Sequence, residues 1–240
     1  MLTRKSKLVI IPTYNEKENI EAISRAVFAL EGGFNILVID DGSPDGTADI
    51  VKGLMEEFPE RLFIIQREGK LGLGTAYITG FKWGLEKGYD YIFEMDADFS
   101  HNPDDLPRLL DACENGGADL SIGSRYADGV SVVNWPIGRI LMSYGASRYV
   151  RTVLRTHITD NTAGFMCYSR RVLEAIDLDN VKMKGYGFQI EMKYTAVKKG
   201  FKAVEVPVIF VNRKAGTSKM SGSIFGEAFW GVLALRFRKF

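Results

Sequence analysis

The sequence is poor in the residues from which metal clusters and disulfide frameworks are built. It contains two cysteines and two histidines in 240 residues. Cys113 and Cys167 fall into no metal-binding or redox motif, so we expect reduced, structural thiols in a reducing compartment. The net charge of +1 gives no reason to expect a nucleic-acid-binding protein, because such proteins carry a basic surface.

Long apolar runs are also missing. No uninterrupted apolar stretch approaches the roughly 20 residues that a membrane-spanning helix needs. The nearest candidate, residues 224–235, is short and contains Glu227. Residues 1–7 include neither the apolar segment nor the cleavage site of a signal peptide, and we therefore expect a cytoplasmic protein.

What is present is the alternation of an α/β protein. Apolar and β-branched runs predict strands at residues 8–11, 36–39, 62–65, 91–95 and 118–122. Helical patterns separate these runs, which predicts a mostly parallel sheet with helices on both faces. In the less regular second half we predict strands at 162–169 and 201–211 and helices at 137–154, 170–176, 187–199 and 222–240. We expect a single domain, because 240 residues suffice for one large core.

The predicted strand at residues 91–95 ends abruptly in two carboxylates, Asp96 and Asp98. Ligands of open α/β sheets bind at the carboxyl ends of the strands. Oxygen donors select Mg²⁺ or Mn²⁺, which share their remaining positions with water and substrate phosphates. A metal–diphosphate site is therefore one interpretation, and a turn or a helix cap is the alternative that an isolated Asp-x-Asp tripeptide favours.

Two other predicted strands end in polar residues at the same edge of the sheet. Tyr14 follows the first strand, and Asp40 and Asp41 follow the second. An aromatic ring at Tyr14 and a hydrogen-bond acceptor at Asp41 together suit a nucleoside. Asx residues also cap helices, and we expect that role for Asn15 and Asp45. Capping explains Asp41 less well, because adjacent carboxylates repel unless a partner compensates them.

Several blocks of the sequence carry a resemblance to a known family. Residues 9–16 (VIIPTYNE), 38–47 (VIDDGSPDGT) and 95–103 (MDADFSHNP) are similar to inverting GT-A glycosyltransferases. The later blocks resemble more specifically the dolichol-phosphate (polyprenol-phosphate) mannosyltransferases. These are residues 122–126 (IGSRY), 160–165 (DNTAGF), 185–192 (GYGFQIEM), 205–208 (EVPV) and 213–219 (RKAGTSK). The resemblance covers nearly the whole chain in order.

The resemblance implies a GT-A (Rossmann-like) single domain that transfers mannose from GDP-mannose with the help of Mg²⁺ or Mn²⁺. Residues 1–123 would form the nucleotide-binding half and residues 124–221 the acceptor-binding half. The residues implied to hold the guanosine are Pro12, Tyr14, Glu16, Ile39 and Asp41. Those implied at the diphosphate and metal are Asp96, Ala97, Asp98 and Ser100, with Arg213 and Lys219 closing over the donor phosphates.

The implied acceptor is a polyprenyl (dolichyl-type) monophosphate. Arg125 follows a predicted strand, and Arg139 and Ser143 lie one turn apart on a predicted helix; by resemblance these three bind the acceptor phosphate. We expect Asp160 to be structural, supporting an acceptor-site arginine. For His101 we expect a surface or capping role, because it stands alone among the predicted ligands.

The mechanism implied by these charges needs no strong base. A phosphate monoester is already an anion near neutral pH, so it can attack the anomeric carbon directly, with inversion. The energy barrier arises from the departure of the diphosphate, and positive charge stabilises the negative charge that develops on this leaving group. The implied catalytic residues are Asp98, Arg125, Arg213 and Lys219. Gln189 and Glu191 are open candidates for orienting sugar or acceptor, with core or salt-bridge roles as the alternative.

A lipid acceptor implies a membrane surface as a partner. Residues 222–240 have the pattern of an amphipathic helix on the membrane surface, although a helix that docks on the domain has the same pattern. Arg148, Arg151 and Arg155 share one helical stripe, which fits either lipid headgroups or solvent. We therefore expect a peripheral protein on the cytoplasmic face of a membrane, with a separate membrane-anchoring subunit as a further candidate partner.

Two alternatives to this function remain open. One is a related transferase that uses another sugar nucleotide, such as a polyprenyl-phosphate glucosyltransferase. The other is a catalytically inactive protein that binds nucleotide sugars. Asp96, Asp98, Arg213 and Lys219 argue against an inactive protein, because a binding protein has no need of a complete set of groups for the leaving diphosphate.

Overall fold

The computed structural model describes residues 5–183, 185–212 and 223–238. Within these ranges the strands are β1 (Lys7–Thr13), β2 (Phe34–Asp40), β3 (Leu62–Gln66), β4 (Tyr91–Glu94), β5 (Leu120–Ser124), β6 (Val132–Val133), β7 (Met166–Ser169), β8 (Ala203–Pro207) and β9 (Phe210–Val211). The α-helices are α1 (Ile20–Ala29), α2 (Thr47–Glu57), α3 (Leu73–Glu86), α4 (Leu106–Glu114), α5 (Ile137–Leu154), α6 (Arg170–Ala175), α7 (Gly185–Lys198) and α8 (Ser223–Arg236).

A mixed sheet of seven strands forms the centre of the fold, in the order β3-β2-β1-β4-β7-β5-β8. Strands β3, β2, β1 and β4 run parallel to one another. Strand β7 is antiparallel to both of its neighbours, β4 and β5, while β8 is parallel to β5. The predicted mostly parallel α/β sheet is confirmed, and β7 is the strand that makes it mixed.

The sheet is buried on both faces. Alternate residues of β1 enter different cores: Leu8 and Ile10 pack with residues of α3, α6 and α7, whereas Val9 and Ile11 pack with residues of α1, α2 and α4. Strands between two helical layers need apolar side chains on both sides, which explains their continuous apolar runs. The same arrangement leaves the ends of the strands as the place for polar chemistry.

The C-terminal helix α8 is docked on the domain. Its Val232 and Leu235 are buried in a small cluster with Val150 and Leu154 of α5 and with residues of α7. Farther along the same segment, Phe237 is exposed. Within the described residues, none of the helices combines the length and apolar character needed to cross a bilayer.

Two local predictions are wrong. Asn15 does not cap the first helix: α1 begins only at Ile20, and Asn15 adopts a left-handed conformation with φ of 58°. The long strand predicted at 201–211 is interrupted between β8 and β9, and β9 pairs with β6 in a separate two-stranded sheet. The predicted strand is divided because its first part, β8, pairs with β5 in the main sheet. Its second part, β9, pairs instead with β6, which lies in the segment after β5.

Candidate active site

Three neighbouring strands bring their carboxyl ends together. In the register of β1 and β2, Thr13 lies opposite Asp40, and in the register of β1 and β4, Ile10 lies opposite Glu94. The chain builds β2 and β3 on one side of β1 and then returns to place β4 on the other side. Such a reversal opens a crevice at the carboxyl ends of the strands, where α/β proteins bind their ligands.

The loops that follow β1 and β2 are held together by side chains of the second loop. The backbone N–H of Asn15 donates to Ser43 Oγ, and that of Glu16 donates to Thr47 Oγ1; both donor–acceptor distances are 3.0 Å. Asp45 Oδ1 accepts from the Thr47 backbone N–H at 3.0 Å, but the N-cap of α2 is Gly46, so Asp45 supports the start of the helix from the position before the cap. These bonds turn two polar loops into one wall of the crevice.

The adjacent carboxylates at the end of β2 have separate partners. Asp40 accepts from Thr13 Oγ1 at 2.9 Å and from Ser43 Oγ at 2.6 Å. Asp41 pairs with Arg67, whose Nε donates to Asp41 Oδ1 at 2.6 Å. Both side chains of this ion pair are buried. A partner that compensates the charge of Asp41 was expected from the sequence, but Arg67 was not identified as that partner. Its only sequence signal is its position directly after β3.

The other residues expected at the nucleoside lie around the same wall. Tyr14 is half-buried, and the Nζ of Lys70 lies 5.2 Å from the centre of its ring. Pro12 and Glu16 are also half-buried. The side chain of Ile39 is fully buried in the core, so only its backbone is available to a ligand.

The two carboxylates after β4 differ in their surroundings. Asp98 is buried, and its Oδ1 accepts from the Ser100 backbone N–H at 3.0 Å. Phe99 between them has φ of 58°, which bends the chain so that this N–H reaches back. The side chain of Asp96 is 40% exposed, whereas Ala97 is buried.

The donor set fits a metal ion whose shell is shared with a substrate. The described residues hold no cluster of three or more His, Cys, Asp or Glu that could enclose a metal by themselves. Mg²⁺ in phosphate-transferring sites is held by one or two carboxylates, and substrate phosphates and water supply the rest. Asp96 and Asp98 offer that number of carboxylates, and the Ser100 hydroxyl is a further oxygen donor nearby.

His101 is buried rather than at the surface, so the surface role expected for it is wrong. Its ring stacks on Phe165 with centroids 4.8 Å apart, and its Nδ1 accepts from the Asp96 backbone N–H at 3.1 Å. Burial lowers the pKa of His101 to about 4, so the ring is neutral at physiological pH. His101 thus supports the backbone of Asp96 in the loop after β4 and caps none of the helices in the described residues.

A cavity of about 170 Å³ joins this region to the residues expected to bind the acceptor. Asp96 and Ser100 line one part of it, and Arg125, Arg139 and Ser143 line another. These residues come from β4, β5 and α5 and from the segments next to them, which lie far apart in the chain. The structure therefore brings members of both predicted sets into one cavity, whereas Ala97 and Asp98 are not among the residues that line it.

Arg125 is fixed by a buried ion pair. Its Nε and Nη2 donate to the two carboxylate oxygens of Asp160 at 2.7 and 2.6 Å, and Nη2 also reaches Thr162 Oγ1 at 2.8 Å. Burial by itself raises the pKa of Asp160, but the guanidinium of Arg125 outweighs it and the pKa is lowered. The geometry agrees with the supporting role expected for Asp160.

A second tier of contacts holds Asp160 itself. The Glu205 carboxylate of β8 accepts from the backbone N–H groups of Thr159 and Asp160, at 2.8 and 2.9 Å. Lys193 of α7 is fully buried and donates to the carbonyl of Ala163 at 2.6 Å. Burial lowers the pKa of Lys193. The loop that carries Asp160 is thereby tied to both the sheet and α7.

Arg139 is oriented by an aromatic side chain. Its guanidinium lies 3.9 Å from the centre of the Trp135 ring, and Nη1 donates to Asn212 Oδ1 at 3.0 Å. Ser143 follows one turn later on the same face of α5 and lines the cavity as well. Stacking of this kind fixes the plane of a guanidinium and suits it to bind an oxyanion.

Gln189 and Glu191, the two candidates on α7, have different roles. Glu191 is buried and accepts from the backbone N–H of Met183 at 2.8 Å, and it also pairs with Arg238. Its role is structural. Gln189 lines the cavity, and its Nε2 donates to the buried carboxylate of Glu94. Arg213 and Lys219 lie outside the described residues, and their roles stay predictions.

The fold defines the class of protein. The structure aligns with glucosyl-3-phosphoglycerate synthase from Mycobacterium tuberculosis in complex with Mn²⁺, UDP and phosphoglyceric acid, with a TM-score of 0.71 over 97% of this chain and 79% of that chain. The sequences are 18% identical, so this likeness shows the fold alone. Together with the strand-end carboxylates, it identifies a GT-A fold, as predicted.

Sequence comparison then gives the family. The model of glycosyl transferase family 2 matches residues 8–177, and the chain belongs to that family of glycosyltransferases. It is 50% identical to polyprenol monophosphomannose synthase of Mycolicibacterium smegmatis, over 94% of this chain and 86% of that one. It is 47% identical to undecaprenyl-phosphate mannosyltransferase of Micrococcus luteus, over 95% and 94%. Dolichol-phosphate mannosyltransferase of Pyrococcus furiosus is 40% identical, over 91% of this chain and 60% of that one.

These relatives confirm the predicted resemblance. The motifs quoted from the sequence alone pointed to dolichol-phosphate (polyprenol-phosphate) mannosyltransferases, and the similar proteins carry names of that group. The identity extends over both halves of the chain, including the segment beyond residue 177 that the family model leaves unmatched.

Removal of the Asp160 carboxylate should be strongly destabilising. In Asp160→Ala, the buried Arg125 loses its bidentate partner, and such losses cost about 3–5 kcal/mol. Urea unfolding followed by circular dichroism measures the change in the free energy of unfolding. The control is Asp49→Ala, which removes an exposed carboxylate 3.8 Å from Lys52 and should change stability by less than about 0.5 kcal/mol. Equal stability of the two variants would contradict the supporting role of Asp160.

Proposed function

We propose that this glycosyltransferase catalyses metal-dependent, inverting transfer of mannose from GDP-mannose to a polyprenyl (dolichyl-type) monophosphate, giving polyprenyl phosphate mannose and GDP. The observation that carries the proposal is that Asp96 and Ser100 line the same cavity as Arg125, Arg139 and Ser143. A carboxylate pair suits a metal–diphosphate, and a pair of oriented arginines suits a second phosphate. The names of the similar proteins supply the sugar and the lipid.

The donor would lie over the crevice between β1 and β2. The base and ribose would contact Tyr14, Glu16 and the Asp41–Arg67 pair, with Pro12 and the backbone of Ile39 beneath them. The diphosphate would lie near Asp96 and Asp98. A bound Mg²⁺ or Mn²⁺ would neutralise the negative charge of the leaving diphosphate. By resemblance, Arg213 and Lys219 would bind the same phosphates.

The chain's own residues would orient the acceptor. Arg125 has its guanidinium plane set by Asp160, and Arg139 has its plane set by Trp135. An arginine that is already ordered loses less side-chain entropy when it binds a phosphate. His101 is neutral because burial lowers its pKa, so the positive charge offered to the phosphate would come from the arginines.

The reaction then needs positioning more than proton transfer. The acceptor phosphate is anionic near neutral pH and can attack the anomeric carbon without a general base. A site that binds the donor phosphates at one part of a cavity and the acceptor at another favours attack from the face opposite the leaving group. Such a displacement inverts the anomeric configuration. The roles proposed for Asp98, Arg125, Arg213 and Lys219 are to position the reactants and to balance charge.

A membrane surface fits the face of α5 that points away from the cavity. Arg139, Ser143 and Ala146 lie on its cavity side. The opposite stripe begins with the exposed Ile137, Leu141 and Tyr144 and continues at helical spacing with Arg148, Arg151 and Arg155. Exposed apolar side chains followed by cations match the interface of an anionic bilayer. We propose that the protein acts as a peripheral protein on a membrane, with α5 near the lipid.

A panel of nucleotides tests the donor. Thermal unfolding with Mg²⁺ or Mn²⁺ should show a larger stabilisation by GDP and GDP-mannose than by UDP and UDP-glucose at equal concentration, because ligands stabilise the state that binds them. Omitting the metal should reduce the shift for the diphosphates. Stabilisation by the uridine nucleotides alone would overturn the mannose assignment and favour a glucosyltransferase.

The role of Asp98 is tested by Asp98→Asn. This variant keeps the size and hydrogen-bonding shape of the side chain but removes its charge, and we expect it to lower transfer by at least about 100-fold, in line with the loss of charge stabilisation at a leaving group. Its thermal stability without ligand should change little. Asp104→Asn, at an exposed position of the same segment, is the control and should transfer at the wild-type rate. Wild-type transfer by Asp98→Asn at saturating metal would contradict the assignment.

Flotation with liposomes tests the membrane contact. The double variant Ile137→Glu/Leu141→Glu should bind anionic liposomes several-fold more weakly than wild type, because it places two negative charges in the apolar stripe. Lys52→Glu on the exposed face of α2 changes the net charge by the same amount, from +1 to −1, and should have little effect. Equal binding of the two variants to the liposomes would contradict the proposed contact between α5 and the membrane.

A further inference from the structure

Three buried polar atoms belong to residues that line the cavity and form no hydrogen bond within the described part of the chain. They are the hydroxyl of Tyr77, the side-chain oxygen Oε1 of Gln189 and the indole nitrogen Nε1 of Trp135. Trp135 lies against Arg139, whereas Tyr77 and Gln189 belong to α3 and α7. Tyr77 is 0% exposed and Gln189 is 2% exposed. A buried polar atom without a partner costs about 1–3 kcal/mol, so a ligand that supplies the missing hydrogen bonds would be favoured at this place.

The side-chain amide of Gln189 is oriented by a neighbour. Its Nε2 donates to the carboxylate of Glu94, which lies at the end of β4, two residues before Asp96. In this hydrogen bond the amide nitrogen faces Glu94 Oε2, so the amide oxygen is directed away from Glu94 and toward another group. That oxygen can only accept a hydrogen bond, and its partner must therefore carry an O–H or N–H.

The Tyr77 hydroxyl complements this acceptor. Tyr77 lies on α3 with its ring stacked on Phe188 of α7, at a centroid distance of 6.0 Å and an interplanar angle of 9°. Burial raises the pKa of Tyr77 well above its ordinary value, so the hydroxyl keeps its proton. It can both donate and accept.

The chemistry of the two atoms selects the ligand. A fully ionised phosphate has no N–H or O–H for Gln189 Oε1, and a polyprenyl chain has neither donors nor acceptors. A hexose hydroxyl has both, and it can bridge an acceptor such as Gln189 and a donor such as Tyr77. The same cavity is lined by Asp96 on the donor side and by Arg125 on the acceptor side. The sugar has to lie between the two phosphates during transfer.

We propose that Tyr77 and Gln189 bind hydroxyl groups of the hexose that is transferred, and that Glu94 is the positioning residue that orients the Gln189 amide. This inference rests on the proposed function, because it assumes that a sugar nucleotide enters the cavity. It assigns recognition of the sugar to α3 and α7, on the opposite side of the sheet from the helices that follow β1 and β2. The nucleotide contacts would then be independent of the sugar contacts.

The first test separates sugar binding from nucleotide binding. Tyr77→Phe and Gln189→Met should each weaken binding of the nucleotide sugar by roughly tenfold, the effect of leaving one sugar hydrogen bond unmade. Binding of the free nucleotide should stay at the wild-type level, measured by calorimetry in whichever nucleotide series binds the wild-type protein. Tyr194→Phe is the control, since Tyr194 is buried on the same helix as Gln189 but packs in the cluster beneath α8.

The second test pairs each variant with altered donors. In a series of nucleotide sugars that each lack one hexose hydroxyl, at least one member should bind the wild-type protein about tenfold more weakly. For that member, Tyr77→Phe or Gln189→Met should cause no further loss. Equal affinity of wild type and both variants for the complete nucleotide sugar would overturn the inference. A wild-type protein that binds a nucleotide sugar but transfers no mannose would instead contradict the proposed function, and the binding comparison would still decide the roles of Tyr77 and Gln189.

A double-variant cycle tests Glu94. Glu94→Met should weaken binding of the nucleotide sugar in the same direction as Gln189→Met, with free-nucleotide affinity as the control for folding. The combined variant should bind no more weakly than Gln189→Met alone, because both changes remove the same oriented acceptor. Additive losses would show that Glu94 has only a structural role.

Discussion

The parallel alignment of β2, β1 and β4 is the constraint on which the rest of the site depends. It places the segments after the three strands, which carry Tyr14, Asp41 and Asp96, at one edge of the sheet. Carboxylates gathered in this way repel one another and need partners. Arg67 compensates Asp41, the Ser100 backbone N–H binds Asp98, and the remaining negative charge suits a divalent cation shared with a substrate.

The part of the cavity proposed for the acceptor is built on a different principle. There the sheet is no longer parallel, and order comes from a buried ion pair between Arg125 and Asp160, supported by Glu205 and Lys193. Such pairs add little net stability, because desolvation offsets most of the attraction. What this one provides is a guanidinium of fixed orientation at the wall of the cavity. The contacts of Glu205 and Lys193 with the loop that carries Asp160 explain why charged side chains are buried so close to the apolar core.

The fold could be predicted from the sequence because its signals are local. The apolar runs of the strands and the pattern of α5 follow from periodicity, and the acids that end β2 and β4 follow from position alone. Partners that meet only in the folded chain could not be predicted: nothing in the sequence links Asp41 to Arg67 or Gln189 to Glu94. The split between β8 and β9 could not be predicted because the apolar pattern continues through Val208 and Ile209, which separate them. The burial of His101 was missed because it depends on Phe165, which is distant in sequence.

The most direct measurement of the central claim is transfer of labelled mannose. Purified protein is incubated with GDP-mannose labelled in the sugar, a polyprenyl monophosphate in detergent or liposomes, and Mg²⁺ or Mn²⁺. We expect the label to move into the lipid phase as polyprenyl phosphate mannose of inverted anomeric configuration, GDP to be released in equal amount, and a chelator to abolish both. Label that stays in the aqueous phase, while UDP-glucose or a water-soluble acceptor supports turnover, would contradict it.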